Sequence, residues 1–397
     1  MDYYISSNVR YTSEDGKFFK NGIELTNENG DSLEEVVFKG FIKKETATFI
    51  HRAFNNIIVL VGAGASVLST SEGIDRRFGK TVFMLADLIN NTLKQDANLF
   101  TLQELAELCK YQIPVECVGE DGLSRLNSAF NLEDFLSDMI SYEKYVSADM
   151  AEKYNQTETK IFGLIVENTS YEYDKGCLKH ATFINTVAHL VKSPSKLTIV
   201  TTNYDTLIED AADSIGYTVM DGFTFSHRPY FDSDMFEWNL VRDVPYVNTS
   251  ELEYKKRVIN LLKLHGSLSW EKEDGSVYKR ENTTNPLIIY PSSSKYEQTY
   301  SEPYFDLFAK FQELLKRKNT LLITSGFSFG DNHISRMIIK SIETNRTLSM
   351  LFTDYSIDNS PIVDQLKKLL EDQYPVALLK ATLNDDLTDY FGYKEND

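Results

Sequence analysis

The stretch Ile57-Ile58-Val59-Leu60-Val61-Gly62-Ala63-Gly64-Ala65-Ser66 decides how the fold is read. Five apolar, mostly β-branched residues run without alternation into a glycine. A strand with one solvent-facing side alternates apolar and polar residues, so an unbroken run implies a strand covered on both faces, as in a parallel sheet. Gly62 and Gly64 let the backbone turn tightly after the strand and approach a pyrophosphate, whose charge would then meet a helix N-terminus. The third glycine of the hydride-transfer fingerprint would fall at position 67, which is Val67, so an ordinary dehydrogenase is disfavoured.

Working outward, similar runs recur at Leu197 to Val200, Ile259 to Leu264, Leu321 to Thr324 and Leu348 to Phe352, with a sixth at Val376 to Leu379. Helical spacing lies between several of them, most clearly over Asp205 to Ile215, Pro303 to Lys318 and Asn332 to Thr344. Strands alternating with helices predict an α/β fold built on an open parallel sheet. Residues 80–192 differ: apolar spacing such as Phe130, Leu132, Phe135, Leu136, Met139, Ile140, with Asn131 as an N-cap, predicts a large helical insertion. Residues 1–25 alternate around the turn signals Glu14-Asp15-Gly16 and Asn21-Gly22 and predict a small β-hairpin or arm. The expected organisation is an N-terminal β-arm over 1–45, a main domain over 46–355 and a strand/helix extension over 356–397 packed on the same domain.

Composition narrows the function classes. With 397 residues, 42% hydrophobic and 25% charged, the chain can bury one large core. The balance of 41 basic and 59 acidic residues gives a formal charge of −18, which repels phosphate backbones, so no direct nucleic-acid binding is expected. Cys109, Cys117 and Cys177 form no C-x-x-C pair, which fits reduced cysteines. The N-terminus MDYYISSNVR lacks a basic region followed by an apolar stretch, and no apolar run approaches membrane-spanning length. A cytoplasmic location without membrane association is the expectation.

Three further motifs follow buried-looking runs. Thr201-Thr202-Asn203-Tyr204-Asp205 places an amide and a carboxylate where strand becomes helix, a pattern that also suits helix capping. Lys263-Leu264-His265-Gly266-Ser267 puts a histidine at a strand exit beside a glycine. Ser325-Gly326-Phe327-Ser328-Phe329-Gly330-Asp331 combines glycines with a hydroxyl, suited to ribose or phosphate; His333 opens the helix after it and reads as structural. In an open α/β sheet, ligands bind at the carboxyl ends of the strands, so parallel neighbours would bring all these motifs into one crevice. Gly73 to Thr81 imitates a phosphate-binding P-loop, but the gap between its glycines is one residue too long, Ile74 stands where the first glycine belongs, and no strand runs straight into it. Arg76, Arg77 and Lys80 in that stretch either lend positive charge to a nucleotide or form a solvated face.

At Gly62-Ala63-Gly64-Ala65-Ser66, Thr202-Asn203-Tyr204-Asp205, Leu264-His265-Gly266 and Gly326-Phe327-Ser328 the chain resembles the sirtuin family, over roughly residues 50–355. The resemblance implies a Rossmann-like fold that binds NAD in an extended pocket. It assigns Gly62, Ala63, Gly64 and Ser66 to the pyrophosphate, and Asn203, with Thr202 beside it, to the nicotinamide ribose. It assigns Asp205 to the carboxamide, His265 to the general base, and Gly326 and Ser328 to the adenosine half. Two departures stand out. Sirtuin deacylases carry a four-cysteine zinc ribbon after the catalytic histidine, whereas no cysteine lies beyond Cys177, so no zinc is expected. The family loop Gly-Ile-Pro-Asp-Phe-Arg here reads Gly73-Ile74-Asp75-Arg76-Arg77-Phe78. Both changes point away from an acyl-lysine site. The chain looks instead like bacterial antiphage sirtuin-like proteins that destroy NAD, and its short tail is similar to the stand-alone partner of a HerA-type hexameric ATPase.

The resemblance therefore implies NAD as substrate, cleaved at the nicotinamide–ribose bond to nicotinamide and ADP-ribose, with Asn203 and His265 at the reacting centre. A homo-oligomer is expected, since 24 Phe and 23 Tyr supply ample aromatic surface for interfaces. Three readings compete: an NAD-dependent protein deacylase, a non-catalytic nucleotide-sensing or assembly subunit, and a nuclease component beside a DNA translocase. The second has no need of both Asn203 and His265, and the third conflicts with the acidic charge.

Overall fold

The computed structural model describes residues 1–71, 73–75, 77–119, 121–244, 251–280, 283, 286–288, 303–358 and 360–392. Its centre is an 11-stranded sheet. The strands are β1 Asp2–Ser6, β2 Arg10–Glu14, β3 Lys17–Lys20, β4 Ile23–Glu24, β5 Asn56–Val61 and β6 Leu197–Thr201. They continue with β7 Thr218–Met220, β8 Val258–Lys263, β9 Thr320–Ser325, β10 Leu348–Asp354 and β11 Val376–Lys380. Their spatial order is β7-β8-β6-β5-β9-β10-β11-β1-β2-β3-β4. From β7 to β11 all neighbours pair in parallel. Taken in chain order, β5, β6, β8, β9, β10 and β11 lie in the doubly wound arrangement 3-2-1-4-5-6, with the switch point between β5 and β9. The fold is α/β and Rossmann-like.

The unbroken apolar runs are explained by helices on both faces. One layer contains α1 Glu35–Ile50, α6 His180–Ala188 and α7 Leu207–Ser214. There Phe38, Phe183 and Ala211 pack on Ile57, Val59, Ile199 and Ile323. The opposite layer contains α8 Tyr304–Lys316, α9 Asn332–Thr344 and α10 Pro361–Glu371. There Phe311, Ile338 and Leu366 pack on Ile58, Leu60, Val200 and Leu322. Alternate residues of each central strand thus enter different cores. All six strands expected from the sequence are present; β7 was not expected. Its three residues, Thr218–Met220, are too few for a periodic signal.

The N-terminal strands belong to this sheet. β1 pairs antiparallel with β11, with Tyr4 opposite Leu379, and β1 to β4 continue as an antiparallel meander. The segment 1–45 also holds the start of α1. Asp15 and Gly16, and again Asn21 and Gly22, all adopt positive φ, the signature of two-residue hairpin turns.

Between β5 and β6, helices α2 Val82–Leu93, α3 Leu102–Cys109, α4 Leu132–Tyr142 and α5 Ala151–Thr169 gather around a core of their own that includes Ile89, Leu105, Phe135 and Ile161. Thr101 and Glu104 close a capping box on α3, and Asn131 accepts the Asp134 N–H at the start of α4. The last helix of the segment, α6, packs into the sheet's core instead. Among the described residues no helix is long and apolar enough to cross a membrane. Cys109, Cys117 and Cys177 are free thiols.

Phe38 locks the N-terminal meander onto the sheet. It is fully buried, stacked on Phe18 with ring centroids 4.2 Å apart and edge-on to Tyr3 at 5.3 Å. Phe38→Ala should lower unfolding free energy by about 3–5 kcal/mol, measured by urea denaturation. A loss below about 1 kcal/mol would show that this packing contributes little.

Candidate functional site

Four motifs leave the sheet from one hydrogen-bonded row. Ser325 is in register with Val61, Val61 with Thr201, and Thr201 with Lys263. Gly326, Gly62, Thr202 and Leu264 are the next residues on each strand. Adjacent strands lie about 4.8 Å apart, so the four exits occupy one edge at the switch point. Three more backbone bonds knit the exits together: Leu264 N–H to Thr201 O at 2.8 Å, Thr202 N–H to Val61 O at 3.2 Å, and Leu268 N–H to Tyr204 O at 3.0 Å.

The glycine turn and the loop after β9 fit against each other backbone to backbone. Gly62 N–H donates to Ser325 O at 3.0 Å and Gly64 N–H to Gly326 O at 2.9 Å. A Cβ on Gly62 would fall 2.6 Å from Gly326 O. Gly326 has φ +62°, and a Cβ there would fall 2.1 Å from Ala65 N. Glycine is required at both positions by space and, at Gly326, by conformation. The turn opens a single 3-10 helix, Ala63–Ser66, rather than the α-helix expected from the sequence. A small hairpin, Ser69–Thr70 with Gly73–Ile74, follows. The helix dipole available to an anion is correspondingly small, and the turn's contribution rests on its own backbone N–H groups. Ala63 is exposed at its tip and Ser66 is buried at its end.

Ser66 links two of the expected site residues. Asn203 Nδ2 donates to Ser66 Oγ and to Gly62 O, both at 3.2 Å, and Ser66 Oγ donates to Asp205 Oδ2 at 3.1 Å. Asn203 is half-buried, its amide held over the glycine turn. Asp205 Oδ1 accepts the Leu207 N–H at 3.2 Å, so the same carboxylate that bonds Ser66 also holds the backbone at the start of α7. Thr202 is half-buried beside them. Beneath the loop, Lys263 is 1% exposed. Its ammonium bonds Glu209 at 2.8 Å and the carbonyls of Tyr204 and Asp205. Burial pushes the Asp205 carboxyl up to about 6, while Lys263 pulls it down and Glu209 adds to the rise.

His265 and Asn203 sit at matched positions, each two residues beyond the paired Lys263 and Thr201. The imidazole faces α9. Its Nε2 is 3.2 Å from Asp331 Oδ2, with both side chains about nine-tenths buried. Despite this proximity, Nε2 has no aligned hydrogen-bond partner. Asp331 also caps α9: its Oδ1 accepts the His333 and Ile334 N–H groups at 2.9 and 3.1 Å. In the sequence, Gly-Asp before a helix signals only a cap; the contact with His265 appears when β8 and α9 are brought together. His333 packs edge-on against Phe308, with ring centroids 5.5 Å apart. Ser328 is exposed, its Oγ accepting the Gly330 N–H at 3.3 Å.

The described residues of the stretch imitating a P-loop are engaged in contacts of their own. Thr81 caps α2 through the Met84 N–H at 3.2 Å, and Arg77 pairs with Asp75 at 2.7 Å. The Lys80 N–H donates to Tyr171 Oη at 3.0 Å, while Arg76 lies outside the described residues. Among the described residues no three His, Cys, Asp or Glu side chains gather as a metal-binding group.

The raised Asp205 carboxyl has a thermodynamic consequence. The folded chain holds this proton more tightly than the unfolded one, where the carboxyl keeps its ordinary value near 3.8. The group therefore favours folding at low pH, and that contribution is lost as pH rises from about 4 through about 6. Asp205→Asn cannot titrate. Its stability relative to the parent should increase across this window, measured by urea denaturation at pH 4 and pH 7. An equal difference at both values would mean that burial does not raise this carboxyl.

Residues 197–378 match the family profile described as the SIR2-like domain. No curated protein matches the chain. The matched segment begins at β6 and ends within β11, so it holds Asn203, Asp205, His265, Gly326 and Asp331; the glycine turn after β5 lies before it and completes the same edge. SIR2-like domains bind NAD, and NAD-utilising enzymatic activity is consistent with the domain found at residues 197–378.

Proposed function

We propose that this chain is an NAD glycohydrolase, cleaving the nicotinamide–ribose bond to release nicotinamide and ADP-ribose. The observation that carries the reading is the registered row Ser325–Val61–Thr201–Lys263, which delivers the glycine turn, Asn203, His265 and Gly326 to one edge. Asn203 holds its amide against the turn assigned to the pyrophosphate, and His265 keeps a buried Nε2 without an aligned partner. A buried polar atom left in that state suits a group that completes its bonding with substrate or water.

The chemistry asks little of the protein beyond placement. The nicotinamide of NAD is cationic and leaves neutral, so no general acid is needed. A water oxygen bonds to C1′ of the ribose as the C1′–N bond breaks, through a transition state of oxocarbenium character. The water's proton passes to the His265 imidazole and then to solvent. Asp331 faces the same ring and stabilises the imidazolium formed. Asn203 orients the ribose or the attacking water, and the Gly62–Ser66 turn, with Gly326, receives the pyrophosphate and adenosine half.

The setting we propose is NAD depletion in cytoplasmic antiphage defence. The chain would work there as a homo-oligomer alongside a HerA-type ATPase. The absence of cysteine beyond Cys177 supports hydrolysis over deacylation, because a deacylase of this family uses a zinc ribbon there.

Incubating the pure chain with NAD, alone and with such an ATPase, should release nicotinamide and ADP-ribose. His265→Ala and Asn203→Ala should each lower the rate by ~100-fold or more while the melting temperature holds. Wild-type rates in both variants would remove these residues from the reaction, and O-acyl-ADP-ribose formed with an acyl-lysine peptide would show a deacylase instead. Asp331→Asn separates the two tasks of that residue. Asparagine caps helices as well as aspartate does, so stability should be kept, while nicotinamide release should fall roughly tenfold or more. Full activity in Asp331→Asn would leave the residue with capping alone.

A further inference from the structure

The glycine turn is held from two sides, and only one of them belongs to the site edge. Its first half is bonded by Ser325 O and Gly326 O, as described above. Its second half is held by Asn384, which lies beyond β11 and far in sequence from every motif. Asn384 is 7% exposed. Its Nδ2 donates to Ala65 O at 2.8 Å and to Val67 O at 2.9 Å, and its Oδ1 accepts the Lys179 N–H at 3.0 Å, just before α6. Ala65 and Val67 flank Ser66, the residue whose hydroxyl joins Asn203 to Asp205.

We infer that Asn384 is a positioning residue for the dinucleotide site. It clamps the exit of the glycine turn so that Ser66, and through it the Asn203 amide, stand at fixed places over the strand ends. The inference rests on the proposed NAD-cleaving reading of that edge. The side-chain type is dictated by its partners. Two carbonyls call for two N–H donors, one backbone N–H calls for an acceptor, and the primary amide supplies both in a plane. The isosteric carboxylate keeps the acceptor but sets negative charge against two carbonyl oxygens in a buried position. Ala65 O and Val67 O would then turn away, carrying Ser66 with them.

The test uses the full chain with Asn384→Asp and Asn384→Ala, each compared with the parent by NAD kinetics, by calorimetric binding of ADP-ribose, and by thermal melting. Loosening the turn should raise KM for NAD and weaken ADP-ribose binding by about tenfold, in proportion to the lost hydrogen bonds. A merely structural role would reduce the amount of folded enzyme, lowering the apparent maximal rate while KM and ADP-ribose affinity stayed at parent values. That pattern, unchanged values throughout, or failure of both variants to fold would overturn the positioning role. If the parent chain neither cleaves NAD nor binds ADP-ribose, the proposed function itself falls. If the parent does both and the variants match it, only the inference about Asn384 falls.

Discussion

Everything at the site depends on the hydrogen-bond register among four parallel strands. Backbone pairing fixes Ser325, Val61, Thr201 and Lys263 in one row, so the residues after them leave the sheet at the same height. A one-residue slip of any strand would exchange its two faces and withdraw its motif from the edge. Such a slip is opposed on both sides. Ile58 and Leu60 fill one core while Ile57, Val59 and Val61 fill the other, and exchanging them would misfit two packed layers at once. The close contact of Gly62 with Gly326 is a product of this register, because two backbones can come so near only where neither carries a Cβ.

The charge around this edge follows from the same packing. Lys263 is bonded into the Asn203 loop from beneath, where it is committed to Glu209 and two carbonyls. Removing one partner from such a buried pair costs about 3–5 kcal/mol, so Lys263 works as a strut under the loop. Arg77 is likewise neutralised by Asp75. On the proposed reading, an anionic dinucleotide at this edge would meet neutral backbone N–H groups rather than Lys263 or Arg77, because the Ser66 hydroxyl and the Asn203 amide are already bonded to Asp205, Gly62 and each other. Neutral donors fixed in advance can do this, since their dipoles need no reorganisation when charge arrives.

The central strands were legible because burial on both faces writes an unmistakable apolar run, as in Ile57 to Val61. Asn203, His265 and the glycines were legible because each follows such a run directly. Other features left no such local mark. β7 is too short for any period, and the pairing of β1 with β11 joins chain ends that share no sequence signal. The turn at Ala63–Ser66 has the glycine spacing that often precedes an α-helix, but the hairpin pairing of Ser69–Thr70 with Gly73–Ile74 takes the chain elsewhere. Asp331 and Asn384 read locally as a helix cap and a loop residue. Their further contacts, to His265 and to Ala65 and Val67, exist only once distant elements dock.

That last point bears on how the site comes into being. β5 carries the glycine turn, but its neighbours arrive late in the sequence: Thr201 meets Val61 across 140 residues, Thr320 meets Asn56 across 264, and Asn384 meets Ala65 across 319. Each closure is entropically unfavourable until the strands on either side are packed. The glycine turn therefore has neither of its clamps while the chain is incomplete: β9 must dock to bond its entry, and the segment after β11 must fold back to bond its exit. A local fragment through Ser66 contains the most recognisable motif of the chain and none of the geometry that motif needs. The geometry of this edge is a property of the whole sheet, and it is complete only when the last strand and the segment beyond it are in place.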